Sequence, residues 1–350
     1  MGAISEINAA GQRIWLDNLS RKLLIEGDLE RCIEAGVTGL TSNPSILLKG
    51  LKGSPYYRDE LQKMSHSRQI PEKRLEGLII PDIRDACDLF MPVFERSGGE
   101  DGYVSMEVSP KLAHDEDGTI DAAIRLIAEV ERPNLMIKVP ATKEGIAAFE
   151  RLVSLGININ VTLIFSLHQV YHVHEAYVRG LKRFAESGGN VESVRSVASL
   201  FLSRVDTLVD SMLGEHEGLK GKTGVALAKI AYQRFLDIFH GPHARLEKGH
   251  PQKLLWASTG TKNPAYSDLL YVEPLIGRET INTMPEATLD AFVDHGKAES
   301  TLTQGVDEAK EHFIALEKNG INMEQVSNRL FDEGLKAFDD AYSDLLAMVA

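Results

Sequence analysis

Four side chains in this 350-residue chain have types and settings suited to covalent chemistry at a carbonyl. Lys138 lies in the middle of Leu135-Met136-Ile137-Lys138-Val139-Pro140-Ala141, which has the β-rich composition and turn-bounded length of a buried strand. Alternation puts Leu135, Ile137 and Val139 on one face and Lys138 on the other, with Met136 and Pro140. Lysine is rarely fully buried unless it is paired or functional. Either the ammonium snorkels to water or pairs with a carboxylate, or burial favours the neutral amine, which can attack a carbonyl and form a Schiff base. Asp17 ends an earlier strand candidate. Glu107 lies on the polar face of Tyr103-Val104-Ser105-Met106-Glu107-Val108-Ser109, and Thr162 shares one side of the strand candidate 157–166 with Asn160 and Ile164. Such a set suits carbon–carbon bond cleavage through an imine. The amine attacks a ketone, one carboxylate takes a proton from a substrate hydroxyl as the bond breaks, and a second carboxylate, a hydroxyl and a water shuttle protons. The protonated imine is the electron sink, so neither a metal nor an organic cofactor is expected. Neighbouring carboxylates favour the charged amine, so burial must outweigh them or they must stand off behind water.

The elements that would carry these residues alternate. Residues 1–12 read as a lead-in helix, 13–17 as a strand, 28–35 as a helix closed by Gly36, and 37–42 as a strand stopped by Asn43-Pro44. Residues 51–75 give no clear strand, and Ile83, Ala86, Cys87 and Phe90 mark a helical face within 81–95. Strands are expected at 103–109, 135–141, 157–166, 196–204, 253–259 and 269–276. The helices between them are expected at 121–131, 143–155, 168–186 and 224–239. A C-terminal helix at about 327–348 carries Leu335, Phe338, Tyr342 and Leu345 as a stripe. About eight strands alternating with helices, without repeats, imply parallel βαβ units. We expect an α/β fold, a closed (β/α)8 barrel forming one domain over 1–350 with extra terminal helices. The competitor, a doubly wound open sheet, often carries a glycine-rich phosphate turn, and no G-x-G-x-x-G follows a strand here.

In such a barrel the site lies at the C-terminal ends of the strands. Asp17, Asn43, Glu107, Lys138, Thr162, Ser199, Arg204 and Ser258 all fall on that side of their strands. Each has a structural reading too: Asp17 and Asn43 as helix caps, Thr162 as a tolerated β-branched residue, Glu107 as an ion-pair partner for Lys138. Jointly those readings weaken, since a purely structural interior would be Val, Ile and Leu.

The balance of 38 basic and 51 acidic residues gives a net charge of −13, which disfavours nucleic acid and anionic membranes but leaves room for a local cationic pocket. No apolar run approaches the roughly 20 residues of a membrane span. Cys32 and Cys87 have no metal or redox spacing, and the first residues lack a signal-peptide pattern. A soluble, cytoplasmic protein is expected.

From about Trp15 to Gly296 the chain resembles transaldolases of the longer bacterial type. The resemblance rests on Thr41-Ser42-Asn43-Pro44-Ser45, Glu107-Val108-Ser109, Ile137-Lys138-Val139-Pro140-Ala141-Thr142, the stretch from Ile159 through Thr162 to Ser166, Ser199 to Arg204, and Trp256-Ala257-Ser258-Thr259. It implies a (β/α)8 barrel with the Schiff-base lysine, Lys138, on the fourth strand. Asp17 would be the acid–base at the bond being cleaved, and Glu107 and Thr162 would hold the catalytic water. Asn43 and Ser199 would bind the dihydroxyacetone unit, and Arg204 the substrate phosphate. The implied reaction moves that unit from sedoheptulose 7-phosphate to glyceraldehyde 3-phosphate in the non-oxidative pentose phosphate pathway, in a monomer or homodimer. Where the family carries Ser-x-Arg after the seventh strand, this chain reads Ser258-Thr259-Gly260-Thr261-Lys262. Lys262 would then supply a point charge rather than a bidentate fork. The alternatives are a class I aldolase releasing free dihydroxyacetone and a barrel that binds sugar phosphates without turning them over.

Three other patterns carry less. His168, His172 and Glu175 share a helix face at metal-ligand spacing, but the H-E-x-x-H signature is absent. Gly221-Lys222-Thr223 mimics the end of a P-loop, yet His216 stands where its first glycine belongs. Asp115, Asp117 and Gly118 read as a turn rather than a calcium loop.

Overall fold

A computed structural model describes residues 2–64, 68–242 and 244–350. Its centre is a closed barrel of parallel strands paired in chain order, with β8 returning to β1. The strands are β1 (Gln12–Asp17), β2 (Gly39–Thr41), β3 (Val104–Glu107), β4 (Leu135–Pro140), β5 (Ile159–Ile164), β6 (Ser196–Phe201), β7 (Lys253–Ala257) and β8 (Thr280–Met284). Among the described residues the helices are α1 (Ala3–Ala9), α2 (Arg21–Ile25), α3 (Asp28–Ala35), α4 (Pro44–Leu51), α5 (Arg58–Met64), α6 (Pro71–Arg96), α7 (Glu116–Val130), α8 (Lys143–Val153), α9 (Leu167–Glu186), α10 (Ser203–Met212), α11 (Thr223–Phe239), α12 (Glu286–His295), α13 (Val306–Lys318) and α14 (Met323–Val349).

Strands buried on both faces need apolar side chains outward, against the helices, and a filled interior. All six residues of β4, β5 and β6 are buried. Low in the barrel, Gly39 lies beside Trp15 on the neighbouring strand, where any Cβ would stand 2.5 Å from the indole. Higher up the filling turns polar, and the helices begin there. Asn43, Thr142 and Ser166 each cap a helix with a side-chain oxygen that accepts from the backbone N–H three residues on. Strand end, cap and helix start thus fall within a few residues, which fixes the side chains at the mouth. The terminal helix α14 packs over that end, against α4, α6, α10 and β5.

Several boundaries differ from those expected. The lead-in helix is Ala3–Ala9, since Gln12 already pairs in β1; Met1 lies outside the described residues. The terminal helix gains a turn, starting at Met323 behind its cap Asn322. Asp115, Asp117 and Gly118, expected as a turn, are a cap and the first residues of a helix: the Asp115 side chain accepts from Gly118 N and starts α7 five residues early. The largest correction concerns the eighth strand. Residues 269–276 are apolar because they pack as a buried turn with a short 3-10 segment at Glu273–Leu275, while the strand itself is Thr280–Met284. Its sequence, Thr-Ile-Asn-Thr-Met, is too polar to advertise a buried strand. β5 also breaks its alternation. A bulge between Val161 and Ile164, with Leu163 at φ 60°, places Ile164 on the side of Val161 rather than with Asn160 and Thr162.

Candidate active site

A cavity of about 360 Å3 opens at the C-terminal end of the barrel, and Asp17, Asn43, Lys138, Thr162, Ser199, Arg204, Ser258 and Lys262 all line it. Glu107 does not line this cavity, yet its carboxylate stands 3.6 Å from Lys138 Nζ, because β3 and β4 pair the two residues in register. All nine residues singled out from the sequence therefore converge.

Lys138 is 4% exposed, and its Nζ donates to the carbonyl of Ser42 at 2.8 Å. At 3.6 Å its contact with Glu107 is an ion pair rather than a hydrogen bond. Asp17, at the end of β1, accepts from Thr41 Oγ1 at 2.8 Å, and Thr41 Oγ1 lies 2.6 Å from Thr283 Oγ1 on β8. Burial pushes the Asp17 carboxyl above the usual carboxylate range; Lys138, the Thr41 hydroxyl, Lys262 and Arg204 pull against it. Burial also raises Glu107, opposed by Lys138 and reinforced by the charge of Asp17. Glu107 Oε2, the oxygen that faces Lys138, and Thr162 Oγ1 are buried and make no hydrogen bond among the described residues, which leaves each with capacity for a small polar molecule.

Asn160 faces Lys138 across the β4–β5 ladder. It donates to Ser105 Oγ at 3.1 Å and accepts from Ser199 Oγ at 2.7 Å, tying β3, β5 and β6 together beneath the cavity. Arg204 sits in the first turn of α10, not in a strand, because β6 stops at Phe201. Burial lowers its guanidinium's pKa, and Asp17 and Glu333 oppose that shift. Ser258 follows β7 at φ 54°, and its hydroxyl is 2.8 Å from that of Ser203. Lys262 lines the rim and is exposed. The cavity thus joins the Lys138 amine and the Asp17 carboxyl at its base, with Glu107 behind the amine, to cations at its rim, an arrangement able to form an imine and seat an anionic tail.

The demoted patterns lie elsewhere. A larger groove of about 890 Å3 includes His168. His168 and His172 bring their Nε2 atoms to 2.9 Å, while Glu175 is taken by Arg245 at 2.6 Å. Gly221 and Lys222 form a loop ahead of α11, which begins at Thr223, and Lys222 Nζ is bonded to Gly218 O.

The family model for transaldolase/fructose-6-phosphate aldolase matches residues 14–349. The chain belongs to this family. It is similar to the transaldolase of Thiobacillus denitrificans, at 53% identity over 100% of both chains. The transaldolase of Neisseria gonorrhoeae is 47% identical over 99% of each chain, and that of Trichodesmium erythraeum 41% identical over 97% of this chain and 95% of its own. As a member of the transaldolase/fructose-6-phosphate aldolase family, the protein is an enzyme on a (β/α)8 barrel. None of its described helices is long and apolar enough to cross a membrane.

Sequence reasoning missed several residues of this family member's site. Thr283 was hidden with β8, and Asn160 was noted only as a neighbour of Thr162. Lys49 lines the cavity from α4, one turn after Ser45, which lines it too. Phe338 of α14 also lines it, although the helical stripe marked that residue as core alone.

Proposed function

We propose that the protein is a transaldolase that moves a dihydroxyacetone unit from sedoheptulose 7-phosphate to glyceraldehyde 3-phosphate, giving erythrose 4-phosphate and fructose 6-phosphate. The observation that carries this reading is Lys138, buried at the base of a cavity that Asp17 shares, with Glu107 3.6 Å away. The Lys138 amine adds to the donor ketone. Glu107 and Thr162, through a water, deliver the proton with which the carbinol oxygen leaves as water, forming the iminium. Asp17 takes the proton of the hydroxyl beyond the scissile bond as that bond breaks, and the electron pair passes into the iminium to give an enamine. Erythrose 4-phosphate departs, the enamine adds to the acceptor aldehyde with the proton returned by Asp17, and water releases fructose 6-phosphate. Asn43 and Ser199 hold the three-carbon unit. Arg204 meets the phosphate, with Lys262 and Ser258 beside it. The chemistry calls on no metal or organic cofactor.

The family description covers both transfer and aldol release, and the three relatives are named for transfer. Within this reading the enzyme serves the non-oxidative pentose phosphate pathway in the cytoplasm, as a monomer or homodimer. Its unpaired cysteines, Cys32 and Cys87, suit a reducing compartment.

Borohydride reduction with fructose 6-phosphate, followed by peptide mass spectrometry, tests the reading. A dihydroxyacetone adduct on Lys138 is expected, and it should vanish from the trap when an acceptor aldehyde is added. An adduct that acceptor leaves untouched would make the protein an aldolase. A Lys138→Ala variant that keeps its activity would exclude the imine route altogether.

A further inference from the structure

Arg204 has an unusual setting for a half-buried guanidinium. Among the described residues it makes no hydrogen bond and no ion pair; it lies over the Phe201 ring, 5.5 Å from the centroid. On the side of α14 it meets a glycine. Gly334 is buried in the middle of this 27-residue helix, where glycine weakens the helix and calls for a reason. A Cβ there would stand 3.0 Å from Leu163 Cδ2, 3.6 Å from Arg204 Nη1 and 3.7 Å from Phe165 Cε2. The missing side chain is therefore the clearance that lets α14 close down on the β5 bulge beside the guanidinium. The floor beneath is rigid, since Phe165 packs on Phe201 with centroids 5.2 Å apart.

The residue before it, Glu333, is one of two carboxylates whose charge bears on Arg204, the other being Asp17. A carboxylate reaching this guanidinium would compete with a phosphate for the same donors. Glu333 instead pairs with Arg329 one turn back, Nε to Oε1 at 2.7 Å, on the exposed side of the helix.

We propose that α14 positions the phosphate grip through two adjacent residues: Gly334 gives the Arg204 guanidinium its slot, and Glu333, held aside by Arg329, leaves the guanidinium's donors free for the substrate phosphate. The inference rests on the transaldolase reading, in which Arg204 meets the phosphate. Gly334 and Glu333 touch no reacting atom; they act through Arg204.

The test compares kcat/KM for glyceraldehyde 3-phosphate with that for unphosphorylated glyceraldehyde, at one saturating donor concentration, in folded variants checked by circular dichroism. Gly334→Val should cut the preference for the phosphorylated acceptor about ten- to a hundredfold, the range expected when a charged group is displaced by an ångström. Gly334→Ala, which asks only that Leu163 yield a few tenths of an ångström, should cut it less and replaces the valine variant if that one fails to fold. Arg329→Gln should lower the preference by releasing Glu333, and adding Glu333→Gln should restore it. An unchanged preference in the glycine variants, or no rescue by Glu333→Gln, overturns the proposal. Arg204→Ala separates the two levels: if it leaves the preference intact, the phosphate role of Arg204 fails. If it abolishes the preference while the α14 variants do not, only the present inference fails.

Discussion

At the base of the cavity the Asp17 carboxyl and the Lys138 amine share a protein-walled space, with the Glu107 carboxyl 3.6 Å from the amine, and burial raises both carboxyls. Asp17 is raised by desolvation, against the pull of Lys138, the Thr41 hydroxyl and the rim cations. A base must be ionised to act, so activity is lost as pH falls through a raised pKa. The acid limb of the kcat/KM profile should therefore lie above the ordinary aspartate value of about 3.9. Asp17→Asn should remove about 10²- to 10⁴-fold of kcat, the usual worth of a positioned proton acceptor. Because imine formation does not use Asp17, borohydride should still trap dihydroxyacetone itself on Lys138 in that variant. Loss of the trap along with turnover would mean that Asp17 serves imine formation instead. This part of the site was legible because lysine and carboxylates inside strands are costly unless employed. The hydroxyl of Thr283 was not legible, since a threonine in an unrecognised strand carries no such warning.

The segment between β7 and β8 brings Ser258 and Lys262 to the rim, and two phenol–carboxylate contacts pin it to α10, the helix of Arg204. Tyr271 donates to Asp206 at 2.8 Å and Tyr266 to Asp210 at 2.7 Å. Asp206 also accepts from Gly224 N at 3.0 Å, so one carboxyl joins α10, the start of α11 and this segment. Burial pushes Asp206 from 3.8 up to about 6. A pKa raised on folding contributes stability that is present below the unfolded value and is lost as pH rises through the folded one. Relative to the parent, Asp206→Asn should therefore gain ground between pH 4 and 7, by up to about 3 kcal/mol of unfolding free energy. Denaturant unfolding of both proteins across that range measures it; a constant difference would place the charge in both states alike. The same segment shows why the eighth strand was misplaced. Leu269, Val272, Leu275 and Ile276 are apolar because they are buried in the core, where Glu273–Leu275 packs against α11, a tertiary demand that mimics a strand's composition. Thr283 is polar because it faces the cavity beside Thr41, while Thr280 and Asn282, on the opposite face of β8, are met by Gln12 and the Tyr271 carbonyl.

Alternation of helices and strands made the barrel legible across the whole molecule, but the roof was not. The apolar stripe of α14 read as a helix with one buried face, without showing that this face covers the mouth. A closed ladder has consequences that an open sheet lacks. β1 pairs with both β2 and β8, and the last helix packs on α4 and α6 from the first third of the chain, so neither half can bury its own surface. We therefore propose one folding domain over residues 1–350 and expect a cut in the chain to leave the molecule whole. The loop between α11 and β7 is the place to make it, because Lys248 there is exposed. Brief native trypsin treatment should nick the chain there, and the two pieces should elute together at the intact size, still trapping substrate on Lys138. They should part only in denaturant, since the β6–β7 and β1–β8 ladders and the α14 contacts all cross the cut. A piece that separates under native conditions and keeps its circular dichroism would place a domain boundary in that loop.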